Sequence, residues 1–343
     1  MADEEEAPVQ CDNPECNVAK DHRCIEGLEL TTCTHYGKAL VIVDRPKWSS
    51  APTPPPGVHL PGAEALSRTD AQLLLRSQPC NVIALVGPFD SGKTSLVAGV
   101  YDLFQHGPVG EFAFAGSSTS HSFERACHDS RRASRRNKPK MERTQTGDAT
   151  YFHLDLVASG CPDKRAALFA NRSGEEYTDS QSEPALARDF VELHRADVLT
   201  ILADGHNLLD TGLRHQVRDD VCLTLQAFVE AGATRPWQRL AVVLTKLDAV
   251  LKDEAKTGRT LQFFESVLRD VQDQFSKNFV EIQSFRVAAS PQSRSAARGA
   301  GMVDLLRYWM SAPARLQPTK IPAVIPVAAR SFGRLPLRVN RHD

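Results

Sequence analysis

The chain contains 343 residues, of which 41% are hydrophobic and 24% are charged, and its formal net charge is −1. This composition excludes wholesale disorder, and the balanced charge excludes a polycation that binds nucleic acid through its overall charge. No apolar run approaches the roughly 18 residues of a membrane helix, and the opening MADEEEAP lacks the pattern of a signal peptide. We therefore expect a cytoplasmic protein with no membrane partner.

The first 44 residues hold four clustered cysteines, Cys11, Cys16, Cys24 and Cys33. Four thiolates enclose Zn²⁺ tetrahedrally, and a segment this short has too little core to fold unaided, so we expect one structural zinc. His35 is an alternative to Cys33 as the fourth ligand, and free scattered cysteines are the alternative to a zinc site. Three basic residues against ten acidic ones in this module disfavour nucleic acid and favour docking to a protein.

Residues 45–62 are rich in proline and predict an extended linker, and residues 313–343 predict an irregular basic tail. Over residues 63–312, short apolar runs alternate with amphipathic stretches, which predicts an α/β domain with a doubly wound, mostly parallel sheet. The turn at 159–164 predicts one antiparallel hairpin. In chain order we expect strands at 81–86, 151–157, 165–170, 198–203, 240–244 and 280–287, and helices at 63–77, 93–104, 184–195, 209–231, 259–277 and 301–312.

The segment GPFDSGKTS fits the phosphate-loop pattern G-x-x-x-x-G-K-[ST] without a mismatch, between a buried strand and a helix. Glycines let backbone N–H groups surround a phosphate chain, and the helix N-terminus adds partial positive charge. We expect Lys93 to reach the β- and γ-phosphates and Thr94 to ligate Mg²⁺. Three roles are open for Asp90: it orients the loop, it lies near the γ-phosphate, or it simply forms a turn. The predicted nucleotide-binding residues of this loop are Gly87, Asp90, Ser91, Gly92, Lys93, Thr94 and Ser95.

The segment Thr245-Lys246-Leu247-Asp248 follows the strand at 240–244, at the strand end where ligands bind in open α/β sheets. A carboxylate at Asp248 accepts hydrogen bonds from guanine N1–H and its 2-amino group, a pair of donors that adenine lacks. The Lys246 stem would cover the face of the base. We expect the backbone around Ala289, after the next strand, to donate N–H groups to the guanine oxygen. These residues predict GTP or GDP as the cofactor.

On these motifs the sequence resembles P-loop GTPases of the translation-factor-related, Ras-like class over about residues 80–312. Within that class it is similar to the bacterial double-GTPase type domains of predicted conflict and defence systems, on FAGSST at 114–119, SFE at 122–124 and SGEE at 173–176. The resemblance implies a GTP-binding switch that hydrolyses GTP with Mg²⁺ and controls a protein partner. It implies catalytic roles for Lys93, Thr94, Gly174 and Glu175.

One motif departs from the resembled class, which carries Asp-x-x-Gly where this chain has Asn171-Arg172-Ser173-Gly174. That Asp holds Mg²⁺ through water, and the neutral Asn171 is expected to hold it less firmly. Glu175 stands where many relatives carry a glutamine that orients water. Three functions therefore stay open: a GTPase with slow hydrolysis, a scaffold that binds GTP or GDP without turnover, and an ATPase. Asp155 is an alternative carboxylate, although its alternation with leucines predicts an outward-facing strand residue.

A long connection is predicted over residues 116–149, the switch I position of the resembled class. We expect Thr144 or Thr146 to contact Mg²⁺ and one arginine to neutralise charge in the transition state. A solvated charge run and a surface for another macromolecule are the alternatives, and nucleic acid is disfavoured because no aromatic residue lies between 124 and 150. The basic residues of this connection are Arg131, Arg132, Arg135, Arg136, Lys138, Lys140 and Arg143.

Overall fold

The computed structural model describes residues 64–130, 146–291, 293 and 295–311, together with residues 18, 22–24, 29–33 and 36–37 nearer the N-terminus. Contacts divide the chain into two units, Met1–Leu60 and Pro61–Asp343. Among the described residues of the first unit is a short turn in which the N–H groups of Thr32 and Cys33 donate to the Glu29 carbonyl. The second unit contains the sheet and the candidate site.

The sheet of the second unit has seven strands in the order β2-β3-β4-β1-β5-β6-β7. The pairs β1/β4, β1/β5, β5/β6 and β6/β7 are parallel, and β2/β3 and β3/β4 are antiparallel. The predicted mostly parallel sheet and its β3–β4 hairpin are therefore confirmed. The strands are β1 (Cys80–Val86), β2 (Phe112–Gly116), β3 (Thr150–Ala158), β4 (Lys164–Asn171), β5 (Val198–Asp204), β6 (Arg239–Thr245) and β7 (Glu281–Arg286).

Helices cover both faces of the sheet, as in a doubly wound fold. They are α1 (Arg68–Ser77), α2 (Lys93–Phe104), α3 (Ser120–Ser130), α4 (Gly174–Ser182), α5 (Val191–Arg195), α6 (Gly205–Leu209), α7 (Arg214–Glu230), α8 (Leu247–Lys252), α9 (Glu254–Phe275) and α10 (Met302–Met310), with a 3₁₀ segment at Pro184–Asp189. Side chains of α2, α3 and α10 pack on one face, and those of α4–α7 and α9 pack on the other. Helix α1 covers part of that second face beside β1 and β4.

The central strand β1 explains why its sequence is a continuous apolar run. Ile83 and Leu85 point into the core under α2, whereas Ala84 and Val86 point into the opposite core. A strand buried on both faces has no polar side to alternate with. Trp309 of α10 is fully buried in the first core, where its indole N–H donates to the Thr200 hydroxyl at 2.8 Å.

The structure corrects the prediction of one long connection over residues 116–149. Residues 112–116 form edge strand β2 and residues 120–130 form α3, whereas the described residues 117–119 and 146–149 belong to neither a helix nor a strand. The strand β2 (FAFAG) contains no polar residue, although three of its five residues are exposed, so it lacks the alternation of apolar and polar residues that the sequence analysis relies on. Helix α3 buries Phe123 and Cys127, which places Cys127 in the core rather than in a loop. The basic run at 131–145, with Thr144, lies outside the described residues.

Within the part of the chain that the structure describes, no helix is long and apolar enough to cross a membrane.

Candidate functional site

The loop between β1 and α2 turns the chain through left-handed conformations. Gly92, the N-cap of α2, has φ +97°, and Asp90 has φ +59°. Glycine adopts this conformation without a Cβ clash, and aspartate tolerates it better than most residues. Helix α2 begins with no side-chain cap and no acidic residue in its first turn. Its first N–H groups therefore suit an anion such as a phosphate.

Lys93 lies inside this loop with its side chain almost fully buried. Its ammonium donates to the carbonyls of Gly87 at 2.7 Å and Pro88 at 2.9 Å. The Ser91 hydroxyl donates to the same Pro88 carbonyl at 2.8 Å. Burial lowers the pKa of Lys93 to about 8, against the opposing charge of Asp90. A phosphate anion in the loop would favour the charged form and raise this pKa again, so this lysine fits a phosphate group.

Two of the predicted magnesium ligands, Thr94 and Asn171, lie in the first turn of α2 and at the end of β4. Thr94 and Ser95 are half-buried in the first turn of the helix. Asn171 is the last residue of β4, is buried, and lies in register with Leu85 of β1. A hydroxyl and an amide oxygen are hard donors that suit Mg²⁺, although the amide adds no negative charge. In the described ranges there is no group of three or more His, Cys, Asp or Glu side chains that could hold a metal.

Gly174 begins α4 and touches the phosphate loop directly. A Cβ added to it would lie 2.4 Å from the Phe89 amide nitrogen and 2.7 Å from Lys93 Nζ. Only a residue without a side chain permits so close an approach. Glu175 follows in the first turn of the same helix, half-buried. The structure thus brings together Gly174, Glu175 and the lysine that the sequence analysis assigned to one site.

The predicted base-reading segment adjoins the phosphate loop. The Thr245 hydroxyl at the end of β6 donates to the Ser91 carbonyl at 2.8 Å. Lys246 has φ +51°, and its ammonium lies 3.1 Å from Asp90 Oδ2. Asp248 is buried and accepts a hydrogen bond from the Ser293 N–H at 3.2 Å. A buried carboxylate that accepts from an N–H group is suited to accept instead from the N–H groups of guanine.

Ala289, the predicted neighbour of the guanine oxygen, follows β7 and packs against α2. A Cβ on Gly99 of α2 would lie 2.9 Å from the Ala289 Cβ. The preceding residue, Ala288, bridges to Ala300, and the Val287 carbonyl accepts from the N–H of Leu247. These hydrogen bonds hold the segment after β7 against the segment after β6, the arrangement that a shared base site requires.

Asp204 is a site residue that the sequence analysis missed. It ends β5, caps α6 by accepting from the N–H groups of His206 and Asn207, and binds Lys246 Nζ at 2.9 Å. Burial alone lowers the pKa of Lys246, but Asp204 and Asp90 outweigh it and the pKa ends above its ordinary value. The available signal was a carboxylate directly after a buried strand, at the sheet edge where ligands bind.

Asp155 corrects another expectation. It is on the opposite strand face from Leu154, as alternation predicts, but it is buried rather than outward-facing. Its carboxylate accepts from Gln78 at 2.9 Å, from Lys164 at 2.9 Å and from the His153 ring at 3.0 Å. Asp155 pairs with Ala166 near the start of β4, whereas the phosphate loop adjoins the opposite end of that strand. It therefore cannot replace Asn171 at the magnesium position.

The zinc prediction falls largely outside the described residues. Cys11, Cys16 and His35 are not among them, while Cys24 and Cys33 are half-exposed free cysteines. The prediction of a zinc site stays untested.

The comparison with protein families covers the same motifs. A model of the Double-GTPase 2 family matches residues 81–310, a range that includes the phosphate loop, the Gly174 turn and the segment at 245–248. The chain belongs to the Double-GTPase 2 family. It is a P-loop GTPase, as the resemblance implied. No curated protein matches this Double-GTPase 2 chain.

Several solved GTPase structures are similar to this Double-GTPase 2 chain at low identity. The signal recognition particle receptor SRβ–GTP/SRX complex from Chaetomium thermophilum is 16% identical, with 68% of this chain and 96% of that chain covered and a TM-score of 0.36. The GTP-bound Ski7 GTPase-like domain of S. cerevisiae is 14% identical, with coverages of 71% and 53% and a TM-score of 0.37. With TM-scores this low, the assignment rests on the family match.

Proposed function

We propose that this Double-GTPase 2 chain is a GTP-binding molecular switch that hydrolyses GTP slowly with Mg²⁺ and controls a protein partner. The observation that carries the proposal is the contact of the Gly174 turn with Lys93 and the phosphate loop. A third phosphate beside Lys93 would meet that turn, whereas a diphosphate would leave it alone. The bound nucleotide would thereby change the position of a segment that a partner can read.

Guanine is the base that the geometry favours. Asp248 is buried and already accepts from a backbone N–H, and Lys246 is held over the loop by Asp90 and Asp204. An ATPase would have no use for a buried acceptor at this position, because adenine has no matching pair of donors.

Slow hydrolysis is the part of the proposal that depends on Asn171 and Glu175. The amide of Asn171 offers Mg²⁺ an oxygen without the charge of a carboxylate, and Glu175 replaces a glutamine that orients water in many relatives. A scaffold that binds GTP and GDP without turnover is the second candidate, and the same two residues favour it. GTP turnover by the wild-type chain distinguishes the two candidates, and Asn171→Asp should accelerate a slow enzyme because it restores the carboxylate.

The proposal is tested by titrating the full chain with fluorescent GTP, GDP and ATP, with and without Mg²⁺, beside Lys93→Ala and Asp248→Asn. We expect GTP and GDP to bind, ATP to bind much more weakly, and Lys93→Ala to bind none of them. Equal binding of GTP and ATP would contradict the proposal that Asp248 recognises guanine. Binding of no nucleotide by the wild-type chain would contradict the proposed switch itself.

Four further assignments rest on the sequence. We propose that residues 1–44 form a zinc module that docks to a protein, with 45–62 as a linker, 63–312 as the GTPase domain and 313–343 as a tail. Zinc content of the purified chain, compared with that of Cys24→Ser, checks the module. A cytoplasmic location and a role in a bacterial defence system complete the proposal, and the latter rests on the family resemblance alone.

A further inference from the structure

Arg172, within the motif that contains Asn171 and Gly174, joins three separate segments of the chain. Its guanidinium donates to both carboxylate oxygens of Glu192 in α5, at 2.5 and 3.2 Å. It also donates to Glu176 of α4 at 2.8 Å and to the carbonyl of Gly147, which precedes β3, at 2.5 Å. An arginine fork suits such a junction because its donors have a fixed planar arrangement.

The junction is buried, so its charged groups lose their hydration on folding, and they must meet the right partners to offset that cost. Only 5% of the Arg172 side chain and none of the Glu192 side chain is exposed. Burial alone lowers the pKa of Arg172, but Glu192 outweighs it and the pKa ends above its ordinary value. The guanidinium also lies 4.3 Å from the centre of the Phe190 ring. A buried ion pair is often no more stabilising than an apolar replacement, so its clearest effect is to hold one arrangement of its segments.

Of the three segments that Arg172 joins, the Gly174 turn lies against the phosphate loop, and Gly147 is linked to that turn. Gly174, two residues after Arg172, touches the phosphate loop. Gly147 lies three residues before the start of β3, and it is held twice, since its N–H donates to Glu176 at 3.3 Å. A shift of the Gly174 turn would therefore pull on Gly147 through Arg172 and Glu176.

We propose that Arg172 is a positioning residue that makes residues 146–148 and the Gly174 turn respond together to the third phosphate of the nucleotide. The inference rests on the proposed GTP-binding function. It assigns the discrimination between GTP and GDP to a junction that touches neither the phosphates nor the base. Affinity for GDP should depend on the phosphate loop and Asp248, and affinity for GTP on those residues and the junction.

The experiment compares affinities of the full chain for GDP and for a non-hydrolysable GTP analogue, with Mg²⁺ present. Arg172→Met leaves the Glu192 charge buried and unpaired and can fail to fold, so the main variant is Arg172→Met with Glu192→Met. Glu176→Gln, which keeps the buried pair and weakens the link to Gly147, gives a milder change. Arg188→Met, at an exposed arginine of the 3₁₀ segment, is the matched control.

We expect the double variant to lose at least about fivefold in affinity for the GTP analogue, in the usual range of coupling between sites, with GDP affinity unchanged. Glu176→Gln should lose less, and Arg188→Met nothing. An equal loss for both nucleotides would show a merely structural role and overturn the inference, as would no loss in a folded double variant. If the wild-type chain binds neither nucleotide, the proposed function fails, and the inference fails with it.

Discussion

Replacing Gly174 with alanine tests whether the turn at the start of α4 must rest on the phosphate loop. The added Cβ would lie 2.4 Å from two backbone atoms of the loop, Phe89 N and Pro88 C, and real Cβ atoms do not approach other atoms closer than 3.0 Å. Backbone atoms cannot swing aside as a flexible side chain does. The turn must therefore withdraw from the loop by roughly half an ångström or more.

Two opposing effects set the size of the result. Overpacking of this kind costs about 1–3 kcal/mol while the turn stays in contact with the loop. Alanine in a helix is favoured over glycine by up to about 1 kcal/mol, so the free energy of unfolding should change little once the turn has withdrawn. The cost then falls on the triphosphate complex, where 1–3 kcal/mol corresponds to about 5- to 150-fold in affinity. GDP affinity should stay unchanged because GDP has no third phosphate to bring against the turn.

Fluorescence titration of Gly174→Ala with GDP and a non-hydrolysable GTP analogue measures this difference, and thermal unfolding monitors the fold. Gly258→Ala is the matched control, since a Cβ there meets nothing within 4 Å and the position lies within α9. It should stabilise the chain by up to about 1 kcal/mol and leave both affinities as they are. If folded Gly174→Ala binds the GTP analogue as tightly as the wild type, the turn does not sense the third phosphate.

Three further predictions concern charged residues of the site. Burial lowers the pKa of Lys93 to about 8 and a bound phosphate would raise it again, so GDP binding near pH 8.5 should take up protons and weaken as the pH rises further. Calorimetry in buffers of different ionisation heat measures the uptake, and any uptake that persists in Lys93→Met comes from another group. Asp248→Asn should lower GTP affinity by about tenfold or more, because the amide donors of the asparagine face those of guanine. The variant should instead bind xanthosine nucleotides, whose C2 carbonyl accepts a hydrogen bond. Unchanged base preference in a competition titration would mean that Asp248 does not contact the base. Asp204→Ala removes the cap of α6 and a partner of Lys246, and should cost about 1–2 kcal/mol in urea unfolding and weaken GDP binding. Asp253→Ala removes the corresponding cap from α9, where the Asp253 carboxylate pairs with Lys256, and should cost stability alone. Equal nucleotide affinity of the two variants would therefore argue against a role for Asp204 in the site.

The parts of the site that the sequence predicted are those whose chemistry is local. The phosphate loop places glycines, a lysine and a threonine within eight consecutive residues, Gly87–Thr94, between a strand and a helix. The segment at 245–248 stands directly after an apolar run, which marks the end of a buried strand. Six of the seven strands show in the sequence for the same reason, since each contains apolar residues with the spacing of one or two buried faces.

The parts that only the tertiary structure decided depend on which segments the sheet brings together. The strand order sets β4 beside β1, which places Gly174 on the phosphate loop, and it sets β6 beside β5, which places Asp204 beside Lys246. The Arg172 junction joins residues 147, 176 and 192, and no local pattern indicates that they meet. Edge strand β2 (FAFAG) has no polar residue to alternate with, and helix α4 (GEEYTDSQS) has a single large apolar residue, the buried Tyr177, so neither shows apolar periodicity. Local spacing records which face of an element is buried, whereas the partners of a buried charge are chosen by the packing of elements distant in sequence.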